Sequence, residues 1–158
     1  NLCTRGGTNP PHPQYSAASC GVLNQGIHNK DELEGSDDFE FLPGKFQGEW
    51  RNDNSVFMYE SSVVFIEDLL EKNHNEFDHW GVTYYNTEQL DMLEYELSKR
   101  LIEIRENKEI SIKYINEIYC RSLNKKIKIF RNDILKMFDE LISWIKLNKE
   151  NGITVLGP

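Results

Sequence analysis

The sequence predicts an α+β fold that is mainly α: three to four helices packed round one long central helix at about residues 87–106, with a small β component that includes a C-terminal strand at 153–156. Two observations support this prediction. After Asn86, apolar residues recur at three- and four-residue steps, which is the spacing of one helical face. The apolar run at 153–156 is short and β-prone, as expected of a strand.

Length and composition indicate a single globular domain. The chain has 158 residues, of which 39% are hydrophobic and 28% charged, enough for a proper core. No apolar run approaches the roughly 20 residues that a membrane helix needs, and no signal peptide is visible, so we expect a cytoplasmic protein. We expect a poorly structured N-terminal tail and acidic linker over 1–45, followed by a single globular domain over 46–158.

The negative charge is concentrated in one third of the chain. Residues 31–80 hold 14 acidic and 3 basic side chains, whereas residues 81–158 hold 12 acidic and 13 basic side chains. An acidic block repels phosphate backbones, so nucleic-acid binding is disfavoured. A basic protein would be attracted and steered in quickly, although a merely solubilising surface would have the same composition.

Before the central helix, the pattern is mixed. Residues 46–60 fit either a hairpin or an extended segment that leads into a helix. Apolar residues then follow helical spacing over 63–73, so we expect a helix there. The β-prone run 82–85 is the best neighbour for the strand at 153–156. Within it, Tyr84 and Tyr85 must face opposite sides if the run is extended.

The central helix has a clear start. Asn86 is a good N-cap residue, and Gln89 stands three positions later, which is the spacing of a capping box. The predicted buried stripe consists of Leu90, Leu93, Leu97, Leu101 and Ile104. Charged side chains, among them Arg100, occupy the other positions, so we expect that face of the helix to be solvated.

After the central helix, the prediction is less direct. Residues 111–122 combine alternation with helical steps, and we favour a helix. From Asn132 an apolar stripe at helical spacing predicts a further helix, and Gly152 supplies the expected stop.

Evidence for catalytic chemistry is weak. His74, Asp78 and His79 suggest a metal site, but two histidines five residues apart fit one helix face poorly, and a local hydrogen bond is the simpler interpretation. Cys3, Cys20 and Cys120 are too few for a disulfide framework and are expected to be thiols. We expect Trp80, at the turn before the central helix, to fill part of the core. No phosphate-binding glycine loop or nucleophile elbow is present.

Two segments together resemble a known family. The run Phe-Asp-His-Trp-Gly-Val-Thr at 77–83 precedes a long Leu-rich helix, and the chain ends in Asn-Gly-Ile-Thr-Val-Leu-Gly at 151–157. Over roughly residues 56–158 the chain resembles small bacterial immunity proteins that accompany polymorphic toxins, including those of contact-dependent growth inhibition (CDI). The segment 1–55 shows nothing of this pattern.

This resemblance implies a cytoplasmic protein that has no catalytic activity or cofactor of its own. It would bind one cognate toxin domain, often a basic nuclease, as a 1:1 heterodimer and occlude its active site. From charge and periodicity, we expect the contacts to come from exposed acidic residues: Glu67, Asp68, Glu71, Glu76 and Asp78. The alternatives are a metal-dependent hydrolase that uses His74, Asp78 and His79, and an acidic adaptor for another basic protein.

Overall fold

A computed structural model describes residues 26–112 and 116–158 of the chain. Its elements, in chain order, are β1 (Asp38–Pro43), β2 (Val56–Tyr59), α1 (Glu60–Val63), α2 (Glu67–Asn73), β3 (Val82–Tyr85), α3 (Thr87–Arg105), α4 (Glu117–Ile129), α5 (Arg131–Asn148) and β4 (Ile153–Leu156), with 3-10 turns at Lys30–Glu32 and Lys149–Asn151. The predicted fold class, mainly α with a small β component, is confirmed.

The four strands form one antiparallel sheet in the order β2-β1-β4-β3. The C-terminal strand β4 lies between β1 and β3, with Val82 opposite Leu156 and Tyr85 opposite Ile153. The predicted pairing of the segments 82–85 and 153–156 is therefore confirmed. Because β4 is an inner strand, its backbone groups are paired on both sides.

One face of the sheet packs against the helices and forms the core. The strand side chains on this face are Phe39, Phe41, Val56, Met58, Tyr85, Ile153 and Val155. They alternate along each strand with residues that point to the other face, as the pleat requires. α3 and α5 lie against each other and complete the core.

The predicted start and buried stripe of α3 are confirmed. The side-chain oxygen of Asn86 accepts from the backbone N–H of Gln89 at 2.9 Å, and the Gln89 side chain accepts from the backbone N–H of Asn86 at 2.9 Å. This reciprocal arrangement pairs two donors that the helix itself cannot satisfy. All five residues of the predicted stripe are buried.

The N-terminal boundary differs from the prediction of a tail and linker over 1–45. β1 lies inside the sheet, and its apolar residues Phe39 and Phe41 are fully buried. Between them, Glu40 is also buried, because the backbone N–H groups of Arg51 and Asn52 donate to its carboxylate at 2.7 and 2.9 Å. The folded domain therefore includes the acidic segment that the sequence assigned to a linker, while residues 1–25 lie outside the described residues.

Two predicted helices also differ from the structure. The stretch 63–73 is divided into α1 and α2 by a turn over 64–66, so only its second half is a regular α-helix. The helix predicted at 111–122 lies later in the chain, as α4. The side chain of Asn124 in α4 accepts from the backbone N–H of Ile110 and donates to its carbonyl, each at 2.8 Å, so the backbone of Ile110 bonds to α4 and is not part of a helix.

Candidate functional site

A groove of about 960 Å³ lies between α2, α3 and the start of α4. Val64, Leu69, Ile112 and Tyr119 supply its apolar surface. Its charged lining residues are five acids and three bases: Glu67, Asp68, Glu71, Glu96 and Glu103, with Lys72, Lys99 and Arg100. We call this feature the acidic groove. Three of the five acidic residues expected at the partner-binding site, Glu67, Asp68 and Glu71, line it.

Asp68 and Arg100 form the most buried ion pair of the groove. Arg100 Nη1 donates to Asp68 Oδ1 at 2.5 Å, and Nη2 donates to Oδ2 at 2.7 Å. Nη1 also donates to the carbonyl of Phe65 at 3.0 Å. Arg100 is only 7% exposed, so the prediction that it lies on a solvated face was wrong. The Asp68 carboxylate is therefore used in a contact within the protein. It neutralises the Arg100 guanidinium, which would otherwise be a buried charge without a counter-charge.

Glu67 is also engaged within the protein. Its carboxylate contacts His79 Nδ1, while His79 Nε2 lies 3.4 Å from Glu60 Oε1. The His79 ring also meets the edge of Phe39, with the ring centroids 5.0 Å apart. His79 therefore ties the turn before β3 to α1 and α2 by means of two carboxylates.

Glu71 and Glu103 are the two acids of the groove whose carboxylates make no hydrogen bond or ion pair with the described residues. The Glu71 side chain is exposed. Burial raises the pKa of the Glu71 carboxyl above its ordinary value, and the negative charges of Glu67 and Asp68 raise it further, while His79 lowers it. Burial also raises the pKa of the Tyr119 hydroxyl, again with contributions from Glu67 and Asp68. The electrostatic potential inside the groove is therefore negative, and a bound cation would reduce the repulsion between these carboxylates.

The other two predicted residues lie outside the groove, on the segment between α2 and β3. Glu76 is exposed, and its backbone N–H donates to His74 Nδ1 at 3.2 Å. Asp78 is exposed as well, but its Oδ1 accepts from the backbone N–H of Trp80 at 3.0 Å. Its own N–H donates to Thr83 Oγ1 at 3.1 Å. The five predicted acids thus form two groups, one in the groove and one beside β3.

The residues of the alternative metal site do not converge. His79 is held by Glu67, Asp78 caps the turn at Trp80, and the His74 ring lies against Tyr85 with a centroid separation of 5.1 Å. Over residues 26–112 and 116–158, no group of three or more His, Cys, Asp or Glu side chains is arranged to hold a metal ion. His79, for which a local hydrogen bond was expected, instead contacts the Glu67 carboxylate, 12 residues earlier in the chain.

The aromatic residues around β3 partly match the sequence predictions. Tyr85 is fully buried and donates from its hydroxyl to the carbonyl of Leu70 at 3.0 Å, whereas Tyr84 is half-buried on the other face. The prediction that the two rings face opposite sides is confirmed. Trp80, expected to fill part of the core, is 69% exposed, so this prediction was wrong.

Cys120 is a free, half-buried thiol, and Cys3 and Cys20 lie outside the described residues.

The sequence analysis did not predict the side of the groove that α3 provides, which is formed by Glu96, Lys99 and Glu103. The available signal was their spacing of three, four and seven residues, which places them on one side of a helix.

Comparison with protein-family models, with curated proteins and with solved structures gives no match for this chain. Among the helices in the described parts of the chain, none has the length and apolar character needed to cross a membrane.

Proposed function

We propose that this protein is an immunity protein, which binds a cognate toxin domain and neutralises it by covering the toxin's active site. The observation that carries the proposal is the acidic groove, and within it the Glu71 carboxylate beside Glu67 and Asp68. A carboxylate whose pKa is raised by burial and like charges gains the most when a cation approaches. A lysine or arginine side chain of a partner protein supplies such a cation.

A nuclease is the toxin class that this charge favours. Surfaces that bind nucleic-acid substrates are basic, because they must neutralise phosphates. Opposed potentials accelerate association and select the correct partner, and an occluding inhibitor requires both properties. The net charge of −8 has the same sign as the groove, so the approach of a basic domain is also favoured at long range.

The resemblance to CDI immunity proteins adds the remaining parts of the proposal. From this resemblance we infer that the protein lies in the cytoplasm, that it forms a 1:1 heterodimer with the toxin domain, and that it has no catalytic activity. An adaptor that binds another basic protein through the acidic groove is the second candidate, and it differs only in the identity of the partner.

Co-expression tests the proposal and separates these two candidates. The chain is expressed together with the C-terminal region encoded by the adjacent upstream open reading frame, and complex formation and growth are measured. We expect a stable complex and rescue of growth from the toxicity of that region. A complex without toxicity or rescue would support the adaptor, and the absence of both would refute the pairing.

A further inference from the structure

Considering residues 26–112 and 116–158 alone, the sheet leaves one edge open, and it is β3. β1 and β4 are inner strands. The outer side of β2 is covered in part by His28, whose N–H donates to the Phe57 carbonyl at 2.8 Å and whose carbonyl accepts from the Phe57 N–H at 2.9 Å. β3 has no comparable cover from the described residues.

The register shows which backbone groups of β3 point outward. The N–H of Gly157 donates to the Gly81 carbonyl at 2.8 Å, so these two residues form a hydrogen-bonded pair. In an antiparallel pair, hydrogen-bonded and non-hydrogen-bonded positions alternate, and Thr83 and Tyr85 therefore bond to β4. The N–H and C=O groups of Val82 and Tyr84 point away from β4. No other described segment bonds to these two donors and two acceptors.

The side chains at this edge are apolar and exposed. Val82 is 47% exposed, and Trp80, just before the strand, is 69% exposed. An unpaired strand edge with apolar side chains is a template for pairing with another chain, and proteins usually protect such edges. The strand itself carries no Lys, Pro or bulge that would discourage pairing, and the Lys45 ammonium lies over the Tyr84 ring, 5.4 Å from its centroid.

Charge identifies the kind of chain that fits. Asp78 lies against the start of β3, with its N–H bonded to Thr83, and exposed Glu76 is two residues before it. A second copy of this protein would bring the same acidic residues and the same net charge of −8 to the edge, so self-pairing is disfavoured. A basic segment in extended conformation satisfies both the backbone groups and the carboxylates.

We propose that β3 is a docking edge for a basic, extended segment of the partner protein, which adds to the sheet as a fifth strand through the backbone of Val82 and Tyr84. Main-chain hydrogen bonds then supply affinity, and alternating side chains supply selectivity. Apolar side chains of the segment pack beside Trp80 and Val82, while its lysines or arginines lie near Glu76 and Asp78. The inference rests on the proposed function only in taking the segment from the same partner.

The test uses a short synthetic peptide in which lysine and valine alternate, with a glutamate–valine peptide of equal length as the control. Amide hydrogen exchange is followed in the full chain by NMR. Without peptide, we expect rapid exchange at Val82 and Tyr84 and slow exchange at Thr83 and Tyr85. The lysine–valine peptide should slow exchange at Val82 and Tyr84 by at least about tenfold, and the glutamate–valine peptide should not.

Two variants at one position separate backbone pairing from apolar contact. Val82→Pro removes an outward donor that β4 does not use, whereas Val82→Thr keeps this donor and the β-branched shape. We expect Val82→Pro to weaken binding of the lysine–valine peptide by roughly three- to tenfold, and Val82→Thr by less.

Failure of this inference is distinguishable from failure of the proposed function. If the lysine–valine peptide leaves exchange at Val82 and Tyr84 unchanged, or if both peptides act alike, β3 is not a docking edge. The co-expression result is independent of that outcome. Should Val82→Pro fail to fold, the exchange measurement on the unaltered protein and the Val82→Thr comparison still decide.

Discussion

Arg100 and Asp68 join α3 to α2 through two parallel hydrogen bonds of 2.5 and 2.7 Å, at the base of the acidic groove. The pair is largely shielded from water, with side-chain exposures of 8% for Arg100 and 17% for Asp68. In this setting the carboxylate neutralises a guanidinium that also holds the turn after α1 through the Phe65 carbonyl. Asp68 thus supports the shape of the groove, whereas the unpaired Glu71 is available to a partner.

Removing Asp68 alone should strongly destabilise the fold. Asp68→Ala leaves the Arg100 charge buried without a counter-charge, and we expect a loss of about 2–4 kcal/mol in the free energy of unfolding. The double variant Asp68→Leu/Arg100→Met removes both charges and should lose less than Asp68→Ala. Urea denaturation is measured for the unaltered protein, Asp68→Ala, the single variants Asp68→Leu and Arg100→Met, and the double variant. If the stability loss of the double variant equalled the sum of the losses of Asp68→Leu and Arg100→Met, the two charges would not be coupled.

Glu71 should lower stability slightly while contributing to binding. Its pKa is raised in the native state, so the native protein binds more protons than the unfolded chain between the unfolded and native pKa values. Stability therefore falls as pH rises through that window, and the loss persists at neutral pH. Glu71→Gln should raise stability at pH 7 by no more than about 0.5 kcal/mol, since solvent screens this exposed group. Denaturation of Glu71→Gln and of the unaltered protein at pH 4 and pH 7 measures this difference. A Glu71→Gln variant that is less stable than the unaltered protein at pH 7 would contradict the prediction.

Glu40 should be essential to the loop that follows residue 50. Its buried carboxylate accepts from the Arg51 and Asn52 backbone and from Ser55 Oγ at 2.6 Å. Glu40→Ala leaves these donors without their acceptor, and we expect a loss of about 2–3 kcal/mol in unfolding free energy. Ser55→Ala removes one donor together with its bond and should cost only about 1 kcal/mol. Equal losses in the two variants would contradict the assigned role of the carboxylate.

Gly157 should tolerate no side chain. A Cβ atom there would lie 1.9 Å from the His79 carbonyl oxygen and 3.0 Å from the Trp80 Cα, both of which belong to backbone. Gly157→Ala must therefore displace the turn before β3, at a cost of about 1–3 kcal/mol. Thermal unfolding measures this, and Gly48→Ala offers a comparison in which strain arises from its positive φ without a steric clash. An unchanged melting temperature for Gly157→Ala would argue against the close packing of this turn.

Local sequence signals predicted the parts of the fold that local interactions determine. The Asn86 and Gln89 capping box and the apolar stripe that follows specify α3 within a few turns of chain. Arg100 could not be assigned in this way, because its partner Asp68 is 32 residues away. The burial of Arg100 results from tertiary packing against α2, which the periodicity of apolar residues within α3 cannot predict.

The sequence of β1 has the alternation of a strand, but its acidic residues led to the prediction of a linker. Phe39 and Phe41 alternate with Asp38 and Glu40, which is the period of a strand, but a buried carboxylate is uncommon unless it is paired. The donors that pair Glu40 come from residues 11 to 15 positions later in the chain. For the candidate site, the sequence predicted the acidic side chains, and only the fold revealed that they divide between the groove and the β3 edge.

The salt dependence of the complex with the co-expressed upstream region tests whether the acidic groove is the binding surface. Affinity is measured at several salt concentrations for the unaltered protein, for Glu71→Lys, and for Glu49→Lys, a matched reversal at an exposed residue of the loop before β2. We expect affinity to fall as salt rises, Glu71→Lys to weaken binding by at least about tenfold, and Glu49→Lys to have little effect. Equal effects of the two reversals, or an affinity that does not change with salt, would contradict binding through the acidic groove.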